Sequence, residues 1–140
     1  MHVGMTAIFQ HPDGNDGDPV RDAEVYATEY RMADRAEALG FDSLWGVEHH
    51  INGYAMCPDP LKFLTYFAAR TSRLRLGTMV VVLPWHDAIR VCEDVSVLDA
   101  VSGGRFILGA GRGVAKIEFD AFKVDMNQTR DLLVDNIRAI

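Results

Sequence analysis

Short apolar runs alternate along the chain with longer stretches in which apolar residues recur every three or four positions. Residues 3–9 are mostly apolar, and the turn-rich stretch His11-Pro12-Asp13-Gly14-Asn15-Asp16-Gly17-Asp18-Pro19 closes the run, which predicts a buried strand followed by a loop. Asp18 can accept from the first free amides of a helix and Pro19 is pre-set for its first turn. Ala23, Tyr26, Tyr30, Ala33 and Ala36 then share one face before Gly40 ends the helix. Residues 41–47 predict a second strand. After the loop 48–57, Pro58-Asp59-Pro60 opens a helix with Leu61, Leu64, Phe67 and Ala68 on one side. Residues 74–83 are β-rich with few polar interruptions, the pattern of a strand covered on both faces, and Pro84 stops them. A third helix from about Asp87 places Val91, Val95 and Leu98 inward and ends at Ser102-Gly103-Gly104. Residues 105–110 predict a fourth strand. Beyond a glycine-rich loop and the segment 117–125, Asn127 is the expected cap of a fourth helix carrying Leu133, Ile137 and Ile140.

Four successive βα units with no hairpin signal imply parallel strands joined by crossover helices, which makes the class α/β. A free-standing flavodoxin-like domain normally uses five strands, and a (β/α)8 barrel needs about 250 residues. The expected architecture is therefore the N-terminal half of a (β/α)8 TIM barrel, with residues 1–140 as one truncated domain.

Composition narrows the function classes. The 140 residues are 49% hydrophobic and 24% charged, which excludes a disordered tail. Fourteen basic residues stand against twenty acidic ones, a formal net charge of −6 that gives no general attraction to nucleic acid. The longest apolar run, residues 79–83, is far short of the roughly 20 residues that span a bilayer. No basic region precedes an apolar core at the N-terminus, so a cytoplasmic address is the expectation. Cys57 reads as a loop thiol and Cys92 as core, and neither sits in a metal or redox spacing.

The residues with chemical potential all follow predicted strands: His11, Glu48-His49-His50, Trp85-His86 and Gly111-Arg112-Gly113. In parallel α/β architectures active sites are built at that end of the strands. Glu48-His49-His50 sets a carboxylate beside two imidazoles, a set suited to proton transfer near neutral pH. A metal site is the rival, but continued strand geometry puts Glu48 and His50 on one side and His49 on the other. Histidines that merely bond to loop carbonyls are an equal alternative from composition alone, and position at the strand ends favours function. His11 and His86 read as solvated or hydrogen-bonded loop residues. Gly109-Ala110-Gly111-Arg112-Gly113 has GxGxG spacing rather than the GxGxxG dinucleotide fingerprint. Its glycines allow close backbone approach and Arg112 offers a planar fork, so an anionic cofactor is the natural ligand. Asp13, Asp16 and Asp18 lack the terminal glutamate of a calcium loop and read as turn formers.

An ordered set of short matches then becomes visible: Ala36-Glu37-Ala38-Leu39-Gly40-Phe41-Asp42, Trp45 with Glu48-His49-His50, and Leu76-Gly77-Thr78 leading to Leu83-Pro84. Leu98-Asp99, Ser102-Gly103-Gly104-Arg105, Gly111-Arg112-Gly113, Glu118-Phe119, Ala121-Phe122 and Val124-Asp125 follow in the same order. Together they resemble the bacterial luciferase-like family of flavin-dependent monooxygenases, over essentially the whole chain but only the N-terminal portion of that family's barrel. The resemblance implies reduced FMN, supplied by a separate flavin reductase, and molecular oxygen acting on a small organic substrate in a water-poor pocket. It implies His49 as catalytic base with Glu48 and His50 in support, Arg112 and Gly111 at the FMN phosphate, and Met79-Val80 as a non-proline cis peptide beneath the flavin ring. Gly111 stands where light-emitting relatives carry cysteine, so light emission is not implied. Relatives on the same barrel use a deazaflavin for hydride transfer, which is the enzymatic alternative. A non-catalytic half-barrel that pairs its open edges with a second chain, as in a homo-oligomer, is the other; a metal-dependent hydrolase ranks last.

Overall fold

Three aspartates start the first three helices. In the computed structural model, which describes residues 1–11, 18–51, 53 and 55–140, Asp18 accepts from the Val20 amide at 2.9 Å and opens α1 (Pro19–Ala36). Asp59 accepts from Lys62 at 2.9 Å and opens α2 (Pro60–Ala68). Asp87 accepts from Ile89 and Arg90 at 2.9 and 3.1 Å and opens α3 (Ala88–Ser102). Each carboxylate satisfies amides that have no partner inside the helix. Gly103, at φ +68°, closes α3 in the left-handed conformation that costs a glycine nothing. Asp13 and Asp16 lie outside the described residues.

The strands are β1 (Gly4–Ala7), β2 (Ser43–Gly46), β3 (Arg75–Thr78), β4 (Val81–Val82), β5 (Phe106–Ile107) and β6 (Ala110–Gly111). β1, β2, β3 and β5 form one parallel sheet in that order, with Met5, Leu44, Leu76 and Phe106 aligned across it. β4 and β6 pair in parallel as a separate ribbon. Two further helices, α4 (Lys116–Phe122) and α5 (Thr129–Ala139), follow β6, and 3-10 turns occupy Leu83–Trp85 and Met126–Gln128. This is the α/β architecture of four parallel βα units expected from the sequence.

The helices cover one face of the sheet. Leu44, Leu64, Phe67, Leu74, Leu76, Ala33, Ala36 and Leu98 lose essentially all contact with solvent there. Phe9 meets Tyr30 and Phe63 edge to face, the latter at 5.2 Å and 88°, and Phe63 meets Tyr30 and Phe67 in the same way, while Tyr30 and Phe67 are tilted. On the opposite face the Trp45 ring lies over Gly77, where a Cβ would fall 2.4 Å from it, and the Trp45 indole donates to Ser43 Oγ at 2.8 Å. At the amino ends of the strands two charged side chains tie the loops. Glu37 accepts from the amides of Ser72, Arg73 and Leu74, and Arg105 donates to the carbonyls of Ala68, Thr71, Leu74 and Ser102.

Several expectations need correction. The run 74–83 is two strands, because Thr78 Oγ1 bonds both the amide and the carbonyl of Gly109, and the chain then turns through Met79 and Val80 so that β4 leaves the main sheet for β6. The strand expected at 105–110 is split for the same reason. Gly109 allows the contact: a Cβ there would meet the Thr78 carbonyl oxygen at 2.0 Å. Asn127 is not a cap; Asp125 accepts from its amide at 2.9 Å and starts a 3-10 turn ahead of α5. Ile137 is exposed, whereas Leu133 and Ile140 pack on the core. Ala23 is exposed and Val25 packs on the core, while Tyr26, 37% exposed, lays its ring against Phe9 at 4.9 Å. The thiols exchange roles: Cys57 is buried in the core, Cys92 is half-buried, and both are free.

Candidate active site

The candidate groups converge at the carboxyl ends of the strands. Glu48 follows β2 and is buried, its side chain wholly withdrawn from solvent. Oε2 accepts from the Val82 amide at 2.7 Å; Oε1 lies 2.9 Å from His50 Nε2 and 2.6 Å from His86 Nε2. The hydrogen bond to Glu48 raises the His86 pKa above its ordinary value, against the opposing pull of burial.

His49 turns the other way. Its amide donates to the Cys57 carbonyl at 2.9 Å, and its Nδ1 lies 3.3 Å from Glu118 Oε1 on α4. The same oxygen accepts from the His50 amide at 2.8 Å, and the Glu118 side chain is 2% exposed. An ionised carboxylate can only accept, so Nδ1 carries the hydrogen and Nε2 is the basic nitrogen of a ring that remains 35% exposed. Glu48 and His50 thus share one side and His49 the other, as strand alternation predicts.

α4 is pinned over this loop by aromatic contacts. Trp85 stacks on Phe122 at 5.3 Å and 10°, and meets Phe119 edge-on at 5.4 Å. The His50 ring sits edge-on against both Trp85 and Phe122. This packing delivers Glu118 to His49.

Beside His49 lies a cleft of about 230 Å³ walled by Met79, Val80, Trp85, the 111–114 loop and Glu118. The Met79–Val80 peptide bond is cis. A Cβ on Gly111 would fall 2.5 Å from Val80 Cγ2, and one on Gly113, at φ +77°, would fall 2.9 Å from Trp85, Phe119 and Val82. The loop backbone therefore lies flush with the cleft wall. Arg112 is exposed at the rim and makes no hydrogen bond or ion pair with the described residues. The Trp85 indole N–H is buried without a partner among the described residues. An uncommitted guanidinium, glycines that leave backbone approachable and an orphaned donor fit a planar cofactor with an anionic tail. No group of three or more His, Cys, Asp or Glu among the described residues is arranged to hold a metal ion.

All seven sequence candidates lie in or against this region: Glu48, His49, Met79, Val80, Gly111 and Arg112 at the cleft, and His50 packed behind it. His11 is buried elsewhere, with Nδ1 unpartnered among the described residues. Sequence reasoning missed the roles of Glu118 and His86. For Glu118 a signal existed, since it shares a helical face with Phe119 and Phe122, and a carboxylate on an apolar face asks for a partner. His86 carried none.

Parallel βα units with reactive groups at their carboxyl ends define a barrel-type α/β enzyme scaffold. A profile described as luciferase-like monooxygenase matches residues 1–140. An alkanal monooxygenase alpha chain of Photorhabdus laumondii is 36% identical over 109 residues, 78% of this chain and 30% of that one. The crystal structure of monooxygenase RslO1 from Streptomyces bottropensis superimposes at a TM-score of 0.87 with 30% identity, over 99% of this chain and 41% of that one. The oxygenating constituent of 3,6-diketocamphane monooxygenase from Pseudomonas putida, solved with FMN, shares the fold at a TM-score of 0.85 and 18% identity, over 98% of this chain and 37% of that one. The chain belongs to the luciferase-like monooxygenase family and spans about a third of the length of the curated relatives it matches.

Proposed function

We propose that these residues form the flavin-facing part of an FMN-dependent monooxygenase that uses reduced FMN and molecular oxygen to oxidise a small organic substrate. The observation that carries this reading is the pairing, in one cleft, of a histidine oriented by a buried carboxylate with an arginine that has no partner among the described residues. Membership of the family and the FMN complex of a structural neighbour support the choice of cofactor.

In this proposal Arg112 pairs with the FMN phosphate, the Gly111 backbone lets it approach, and Met79 and Val80 offer apolar surface to the ring. Reduced FMN supplies the electrons for oxygen activation, which no side chain of the cleft can do. His49 accepts the substrate proton on Nε2, and Glu118 stabilises the resulting charge across Nδ1. Glu48 and His50 support the loop. A flavin reductase supplies the cofactor, and residues 1–140 act as one half-barrel whose open edges pair with further strands or a second copy.

Anaerobic titration of the chain with reduced FMN, beside Arg112→Ala, tests the first step. Saturable binding that weakens at least tenfold in the variant, about 1.4 kcal/mol, is expected for loss of a charge-assisted phosphate contact. Equal binding by both proteins, or preference for a deazaflavin, would overturn the assignment.

A further inference from the structure

Glu48 is gripped from three directions, by the Val82 amide, His50 and His86. A buried ionised carboxylate needs both hydrogen-bond donors and a compensating charge. The amide supplies no charge, Arg90 is engaged with Glu93 at 2.5 Å, and Arg112 makes no contact with Glu48. The compensating charge therefore falls to a histidine. His86 has its own route to water, because a second pocket of about 200 Å³ opens between the amino ends of α2 and α3 and includes its side chain, which is 33% exposed. Glu48 and Trp85 are common to the walls of this pocket and of the cleft. The charged groups around His86 are Glu48 from the loop after β2, Asp59 at the start of α2, and Asp87, Arg90 and Asp94 on the side of α3. Hydrogen bonding to Glu48 leads in favouring its protonated form, and Asp59 and Asp94 add to it.

We propose that His86 is a positioning residue: as an imidazolium it pairs with the buried Glu48 carboxylate, so that this side chain holds β4 and the Glu48-His49-His50 loop together beside the cleft, and it exchanges its proton with solvent through the pocket between α2 and α3 rather than through the cleft. Because the protonated state is the one favoured on folding, the clamp is closed at low pH and loosens as pH rises through the His86 midpoint. The consequence for ligand binding rests on the flavin reading above; the clamp itself does not.

Histidine-selective NMR titration of the 140-residue chain from about pH 5 to 9, with anaerobic reduced-FMN affinity measured at the same pH values, tests both parts. The His86 midpoint lies above the ordinary value near 6.5, falls in Glu48→Gln and falls by a smaller amount in Asp94→Asn. The FMN dissociation constant of the wild-type chain rises several-fold across that midpoint, and this step is lost in His86→Gln, which keeps a donor but no titratable charge. A His86 midpoint at or below the ordinary value, or one unmoved by Glu48→Gln, overturns the inference whatever FMN does. If wild-type chain binds no FMN at any pH, the functional reading fails while the His86 titration still decides the clamp.

Discussion

Arg105→Ala removes the densest polar junction of the fold. Its guanidinium reaches Ser102 O at 2.6 Å, Leu74 O at 2.8 Å, Ala68 O and Thr71 Oγ1 at 2.9 Å, and Thr71 O at 3.0 Å, so that one side chain joins the ends of α2 and α3 to the start of β3. A hydrogen bond to a charged donor contributes about 1.5–3 kcal/mol, but five on one fork are not additive. The net loss is about 3 kcal/mol, a large fraction of the ~5–15 kcal/mol that holds a domain of this size. Urea unfolding followed by far-UV circular dichroism should place the midpoint lower with an unchanged slope, and the melting temperature should fall by about 10 °C. Arg105→Lys keeps the charge but not the planar fork and should recover less than half of the loss. An Arg105→Ala protein within 0.5 kcal/mol of wild type would refute the reasoning, and a lysine variant as stable as wild type would show that charge rather than geometry is what matters.

Three other perturbations have defined outcomes. The Glu37 carboxyl, although desolvation is the largest single influence and pushes upward, is held at about 2 by amides of Arg73, Leu74 and Ser72; its contribution is full above the ordinary value near 4.5 and is lost as pH falls towards 2. Because the group is largely exposed, that contribution is discounted to about 1 kcal/mol, which Glu37→Gln should abolish in acid unfolding curves while flattening them. Burial pushes the Cys57 thiol up to about 12, so a disulfide reagent at pH 8 should label Cys92 quickly and Cys57 only after unfolding; two fast thiols in the native protein would contradict the buried placement. Gly77→Ala drives a Cβ to within 2.4 Å of the Trp45 ring and should cost about 2–3 kcal/mol with a changed near-UV tryptophan signal, whereas a neutral substitution would mean that Trp45 does not lie across the sheet.

Position at the ends of strands makes much of the site legible in the residue order alone. Glu48, His49, His50 and Arg112 stand out by their place after apolar runs, and Asp18, Asp59 and Asp87 mark helix starts, because caps and strand termini are local features that a few neighbouring residues dictate. Asn127 fails by the same logic, since Asp125 two residues earlier offers the stronger acceptor. The short ordered motifs carry the family, because family membership is a property of residue order.

What the sequence determined by itself is the set of βα units, their parallel class and the end of the strands at which chemistry gathers, all of which follow from hydrophobic period and turn residues. Only the tertiary structure decided which partners meet. Glu118 is 69 positions from His49, and His86 is 38 from Glu48; no local pattern ties residues so far apart, and it is the stacking of Trp85 on Phe122 and the departure of β4 from the main sheet that bring them together. The burial of Cys57 and the exposure of Ile137 were decided the same way, because burial depends on what packs from other elements, and that information is not held in the residue or its neighbours.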